Sequence, residues 1–285
     1  MSTDLIIQGE DIASADLRKI HAICAANGIA RIAHVAHQAF RLSSADNSGN
    51  TRTAVKTYCD AAHLDFGFVQ SGRTLADIGL LAMDMDSTLI TIECIDEMAD
   101  YVGKKKQVAA ITANAMRGEI DWPESLRQRV ALLKGLEEYA LQQVYDQRLA
   151  LSTGAAALIA AAKKHGIKLL LVSGGFTFFT ERLKTRLNFD YAYANTLEIA
   201  NGKLTGKVIG SLCDADGKAK HLRETAAMLS LPHERCIAIG DGANDLKMML
   251  TAGLSVAYRA KPVVQEAAGV AINHVGLDGV LALFA

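Results

Sequence analysis

The sequence predicts an α/β fold: a doubly wound parallel sheet with an inserted helical cap, preceded by a small α+β domain. Three observations predict it. Apolar runs that end in polar, Gly- or Asp-rich loops recur at 80–88 (LLAMDMDST), 169–175 (LLLVSGG) and 236–245 (CIAIGDGAND), each after a helical pattern. That alternation marks parallel strands with helices on both faces. A helical stretch over roughly 95–150 is too long for a simple crossover, and the first seventy or so residues carry a short strand and helix pattern of their own.

Taken in order, DLIIQ (4–8) reads as a strand, followed by a helix through LRKIHAICAANG with Gly28 as its stop. ARIAHVAHQAFRLS (30–43) is strand-like, SADNSGNT is a break, and AVKTYCDAAHLDFGFVQ (54–70) is a helix running into a strand. Residues 1–76 therefore form a small α+β domain, and 77–285 the larger one, with the cap over about 95–150. Within the cap, Asp121 is a candidate N-cap ahead of Pro123. Asn201-Gly202 between two alternating runs predicts a small flap or edge hairpin.

Composition narrows the function classes. Half of the 285 residues are hydrophobic, 21% are charged and only three are Pro, which suits an ordinary soluble globular protein and not a disordered one. Lys+Arg number 30 against 31 Asp+Glu, so there is no basic field for a nucleic-acid backbone or an anionic membrane. Five scattered cysteines without a CxxC pair argue against disulfides or structural zinc and for a reducing, cytoplasmic setting. No signal-like N-terminus or membrane-length apolar run is visible. A small polar substrate fits this balance.

The chemistry-bearing residues cluster at the strand ends. Asp84 and Asp86 lie two apart after LLAM, and Asp241 and Asp245 follow CIAIG beside Gly240 and Gly242. DxDST alone also suits a turn with a helix cap, but four carboxylates at two strand ends are costly to gather without a hard divalent cation, for which Mg²⁺ is the expected ion. Ser173, Gly174 and Gly175 offer a hydroxyl and backbone amides to a phosphate, although SGG also simply turns a chain. Lys218 and Lys220 are both candidate phosphate-neutralising cations. His34 and His37 are read as ordinary histidines on a strand, Trp122 as a pocket or packing residue, and Cys94 as a buried thiol.

DMDST, SGG, a lysine and GDGANDL, in that order over most of 80–270, resemble the four motifs of the haloacid dehalogenase superfamily. DMDSTLITIECIDEMA (84–99) and SLRQRVALLKGL (125–136) are similar to segments of its phosphoserine phosphatase branch. The resemblance implies a HAD-like Rossmannoid core, Asp84 as nucleophile and Asp86 as general acid and base. It implies Mg²⁺ held by Asp84, Asp241 and the Asp86 carbonyl, and phosphate contacts from Ser173, Gly174 and Lys218, the last because Leu222 follows it by four. Asn244 would bind or orient the substrate and Asp245 support the site. Glu93 would meet a substrate ammonium and Arg129 a substrate carboxylate.

The implied activity is Mg-dependent hydrolysis of O-phospho-L-serine, the last step of serine biosynthesis, in a cytoplasmic enzyme, with a homodimer as one open form of assembly. Alternatives are a phosphotransferase or mutase, a phosphatase of another small phosphometabolite, and an amino-acid-sensing regulatory protein. The N-terminal domain is compatible with a ferredoxin-like or ACT-like module that regulates or dimerises.

Overall fold

The computed structural model describes residues 2–285 other than His34 and Val35. The N-terminal unit runs β1 (Thr3–Gly9), α1 (Ser14–Cys24), β2 (Gly28–Arg31), β3 (Gln38–Ser43), α2 (Gly49–Ala62) and β4 (Asp65–Gln70). Its antiparallel strands lie in the order β2-β3-β1-β4, the ferredoxin-like arrangement of a βαββαβ chain. Leu5 and Ile7 of β1 meet Leu17, Ile20, Val55 and Cys59 of the two helices in a separate small core. Gly28 does not stop α1. Ala25 does so in the left-handed conformation (φ 46°), and Gly28 opens β2. His37 lies in a bend before β3, with Nε2 2.7 Å from Gln8 Oε1, and not on a strand as expected; His34 lies outside the described residues.

The larger part continues with β5 (Leu80–Met83) and then the cap helices α3 (Cys94–Tyr101), α4 (Lys105–Met116), α5 (Trp122–Ala131) and α6 (Glu138–Gln147). Asp121 does cap α5, accepting from Glu124 N at 2.7 Å. The chain returns through α7 (Ala155–Lys164), β6 (Lys168–Phe176), α8 (Thr177–Leu187), β7 (Tyr191–Ala200), β8 (Lys203–Ile209) and α9 (Ala215–Met228). It closes with β9 (Cys236–Gly240), α10 (Leu246–Met249), β10 (Leu254–Tyr258), α11 (Pro262–Ala267), β11 (Val270–Ile272) and α12 (Gly279–Ala282).

Strands β11, β10, β9, β5, β6 and β7 are parallel neighbours in that order. Side chains alternate between two cores: Leu81, Met83, Ile237 and Ile239 face one helix layer, while Leu80, Ala82, Cys236 and Ala238 face α9, α10 and α11. A strand buried on both faces must be apolar throughout, which is why LLAM and CIAIG carry no polar residue until they end. From β5 the chain moves out to β6 and β7, then crosses to β9 on the other side. The rim where β5 meets β9 is therefore the topological switch point, where such sheets bind ligands.

The two parts share one sheet. Strand β4 pairs antiparallel with β11 through Phe66 and Ala271, giving eleven strands in all. The Asp65 carboxylate secures this junction by accepting from the backbone N–H groups of Asn273, His274 and Val275 at 2.7–2.9 Å. At the opposite edge β7 and β8 form the expected hairpin. Asn201 (φ 51°) and Gly202 (φ 73°) both take positive φ, as a type I′ turn demands. Its tip holds the cap: Gly135 N donates to Leu204 O, and Leu204 N to Leu136 O, each at 2.8 Å.

Candidate active site

The loop after β5 is a wide turn and not a helix. Asp86 is extended (φ −65°, ψ 135°) and Ser87 is left-handed (φ 56°), a conformation unfavourable for a side chain with a Cβ and common at functional sites. This kink aims Asp84 and Asp86 in different directions. Asp84 Oδ1 accepts from Met85 N and pairs with Lys218 Nζ, both at 2.7 Å, leaving Oδ2 without a protein donor among the described residues. Asp86 instead reaches the cap side, with Oδ1 accepting from Cys94 N at 2.9 Å and Oδ2 from the Ser173 hydroxyl at 3.3 Å.

Lys218 is buried completely at the start of α9 and also pairs with Asp245 Oδ1 at 2.6 Å. Lys220, two residues on, lies on the surface 3.8 Å from Glu224. Asp245 Oδ2 accepts from Asp241 N at 3.2 Å and Gly242 N at 2.9 Å. Gly240 allows that close turn, since a Cβ there would lie 2.5 Å from Asp245 Cβ. The carboxylates of Asp84, Asp241 and Asp245 bring one oxygen each to within 4.8 Å of one another. Thr88, buried, donates to Asp241 Oδ1 at 3.0 Å.

Three carboxylates around one ammonium leave surplus negative charge, and the proton affinities record it. Burial, then Asp245, raises Asp84 well above an ordinary aspartate, against the pull of Lys218. The same two causes push Asp241 up to about 6. Burial disfavours the Lys218 charge, but Asp245 and Asp84 outweigh it and hold its ammonium above the usual value. An all-oxygen donor set with a charge deficit of this kind fits a hard divalent cation.

This acidic floor opens into a pocket of about 400 Å³ under the cap. Glu93 and Arg129 stand on its cap wall, with Trp122, Asp96 and Ser125. Ser87 donates to Glu93 Oε1 at 2.7 Å. Glu93 has solvent access through the pocket mouth, yet enclosure by the concave wall, followed by Asp86, pushes its carboxyl up to about 7. Arg129 Nε donates to Ser125 O at 3.3 Å, and its guanidinium has no carboxylate in ion-pair contact among the described residues. Gly174 and Asn244 line it as well. Trp122 covers Gly174 so closely that a Cβ there would lie 2.9 Å from its ring.

Of the expected residues, Asp84, Asp86, Glu93, Arg129, Gly174, Asp241 and Asn244 line this pocket, whereas Ser173, Lys218 and Asp245 are fully buried behind it and reach it only through Asp86, Asp84 and Asp241. Sequence reasoning did not single out Thr88, whose signal is only its place in DMDST, or Ser125, whose buried hydroxyl has no hydrogen-bond partner among the described residues. Cys94 is buried as expected, and its contribution is the backbone N–H offered to Asp86.

The haloacid dehalogenase-like hydrolase family model matches residues 81–250. The chain belongs to that family. Similarity extends through most of this hydrolase. A phosphoserine phosphatase of Albidiferax ferrireducens is 56% identical over 215 residues, 74% of this chain and 91% of the relative. Among solved structures, a HAD family hydrolase from Salmonella enterica serovar Typhi matches with TM-score 0.90 at 32% identity, covering 100% of this chain and 99% of the other. A probable phosphoserine phosphatase from Vibrio cholerae matches with TM-score 0.83 at 38% identity, covering 99% of this chain and 86% of the other. The N-terminal unit is included in both structural matches. No helix among the described residues is long and apolar enough to cross a membrane.

Proposed function

We propose that this hydrolase cleaves O-phospho-L-serine to L-serine and inorganic phosphate, with Mg²⁺ held by Asp84, Asp241 and the Asp86 carbonyl, and Asp245 beside them. What carries it is that Glu93 and Arg129, whose guanidinium has no carboxylate in ion-pair contact among the described residues, line the same pocket as Asp84. A zwitterionic amino acid whose side chain bears a phosphate needs one anionic partner, one cationic partner and a phosphate cradle in that arrangement. The names of the relatives point to the same substrate.

An aspartate approaching a phosphate dianion meets repulsion of about 4 kcal/mol per charge pair at ~4 Å and an effective dielectric near ~20. Lys218 opposes it, and bound Mg²⁺ would add charge neutralisation at the same place. Asp84 attacks phosphorus as the bond to the seryl oxygen breaks, and the Asp86 carboxyl gives its proton to that oxygen. Serine leaves and the phosphoryl group stays on Asp84. Asp86, now a carboxylate, takes a proton from a water as that water attacks phosphorus, which frees phosphate and restores both residues. Burial raises the Asp86 carboxyl, so its proton is available for the first half-reaction. Ser173, the Gly174 turn and Asn244 hold the phosphate.

The reading is tested by phosphate release from a set of phosphorylated metabolites with and without Mg²⁺. Phosphoserine should lead, and a strong preference for a sugar phosphate, or transfer to an added alcohol in place of free phosphate, would sink it. Arg129→Met should raise KM for phosphoserine by about 30-fold or more, the equivalent of ~2 kcal/mol for a charged hydrogen bond. Turnover of p-nitrophenyl phosphate, which has no carboxylate, should stay within a few-fold.

Glu93 must be ionised to meet an ammonium. With its carboxyl at about 7 in the free enzyme, kcat/KM for phosphoserine should rise with pH through that value, up to the pH at which Asp86 loses the proton it must donate. Glu93→Gln should lower the maximum and remove this limb, leaving the substrate's own phosphate ionisation near pH ~6. An unchanged profile in the variant would exclude Glu93 as the ammonium partner.

A further inference from the structure

The phosphate-binding turn is a break in the sheet. Between paired residues Val172–Tyr193 and Phe176–Asn195, β6 advances four residues (172 to 176) while β7 advances two (193 to 195). Two extra residues of β6 are therefore looped out of the ladder, at Ser173–Gly175. A bulge of this kind re-aims the backbone and leaves main-chain groups without ladder partners.

Asn195 fills that gap. Its side chain is buried, with Nδ2 donating to Gly174 O at 2.8 Å. Its Oδ1 accepts from Cys213 N at 2.8 Å, and Asp214, the next residue, caps α9 by accepting from Gly217 N at 2.9 Å. Lys218 follows in the first turn of that helix. One amide thus ties the turn bearing Ser173 and Gly174 to the segment bearing Lys218, and both of its polar ends are used. Fixing Gly174 O on the sheet side sets the plane of the Gly174–Gly175 peptide. The Gly175 N–H, in turn, donates to Ser173 Oγ at 2.8 Å, which places the hydroxyl beside Asp86.

We infer that Asn195 is a positioning residue of the phosphoryl-transfer site, holding the phosphate turn and the Lys218 helix in mutual register while touching no substrate atom. The inference rests on the phosphatase reading above but not on serine as the substrate. Asn195→Asp is the sharpest variant. It retains the shape and the acceptor for Cys213 N, and replaces the Nδ2 donor by an oxygen facing Gly174 O.

Asn195→Asp and Asn195→Ala should be compared with the wild type by thermal unfolding, by kinetics on phosphoserine and p-nitrophenyl phosphate with Mg²⁺, and by binding of inorganic phosphate. Misplacing a reacting group by about 1 Å costs up to ~100-fold. The expected result is a fall in kcat of about tenfold to a hundredfold on both substrates and weaker phosphate binding, with folding retained. The ratio of the two substrates' KM values should stay put, because Glu93 and Arg129 are untouched. If phosphoserine proves not to be a substrate, the aryl phosphate and phosphate binding still read the effect. Wild-type kcat and phosphate affinity in folded Asn195→Asp would overturn the inference. So would failure of both variants to fold, which would assign Asn195 to stability alone.

Discussion

Asp84→Asn should abolish phosphate release while leaving the fold intact. Removing a nucleophile that works as part of a unit costs on the order of 10⁴- to 10⁶-fold in turnover. The substitution is nearly isosteric, and the amide oxygen can keep the contacts now made to Met85 N and Lys218 Nζ. It also removes one negative charge from a site with too many, so thermal stability in the absence of metal should hold or rise. The decisive measurement is acid-quenched labelling with ³²P-phosphoserine. Wild type should retain label on protein during turnover, and the variant none. Label or turnover surviving in Asp84→Asn would move the nucleophile elsewhere, with Asp245 the obvious place to look.

Lys218→Met should cost both stability and activity, through one cause. The ammonium is buried between Asp84 and Asp245, and removing one member of a buried ion cluster typically destabilises by about 3–5 kcal/mol. The pH dependence gives the mechanism. Without the lysine, Asp84 rises further above its unfolded value, so the folded state binds more protons than the unfolded one. The deficit relative to wild type should therefore grow as pH rises past the already raised wild-type Asp84 value and shrink on acidification below it. Mg²⁺ should restore part of the lost Tm, since it supplies the missing positive charge, while turnover stays depressed. A deficit independent of both pH and Mg²⁺ would mean that lost packing, not unbalanced charge, dominates. Lys220→Met, on the exposed pair with Glu224, should change neither property appreciably.

The loop after β5 was legible because a strand buried on both faces has no structural reason to end in carboxylates. LLAM followed by Asp84 and Asp86, and CIAIG followed by Asp241 and Asp245, carry their chemistry in the change from apolar to acidic. The choice between Lys218 and Lys220 was different. Both sit near the start of α9, and only the direction each faces separates a buried cation from a solvated one; resemblance chose Lys218, which the fold buries between Asp84 and Asp245, while Lys220 lies on the surface.

Asn195 was invisible for a related reason. In YANTLEI it reads as one polar position on an alternating strand, and its value appears only once β6 has bulged opposite it. The end of α1 was misread because Gly is the usual left-handed stop, whereas here Ala25 takes that conformation three residues earlier. The pattern of runs in the N-terminal unit was compatible with a ferredoxin-like order but did not divide the strand-like stretch 30–43 into β2 and β3. The unit's junction with β11 was not legible, because a pairing between residues 66 and 271 leaves no local mark.

That junction decides where the molecule is exposed to its own kind. Strand β11, with Val270 and Ile272 buried, would be an open apolar edge if β4 were absent. With β4 in place, the end strands of the sheet are β2 and β8, and the cap already takes the Leu204 backbone of β8. Strand β2 is only four residues long, and β8 carries Lys203 and Lys207 and is turned at Gly206 (φ 85°). Short, charged or bent edges are poor templates for a neighbouring chain. The first seventy residues consequently act as a hem on the catalytic sheet, trading a sticky border for two that resist fraying into aggregates.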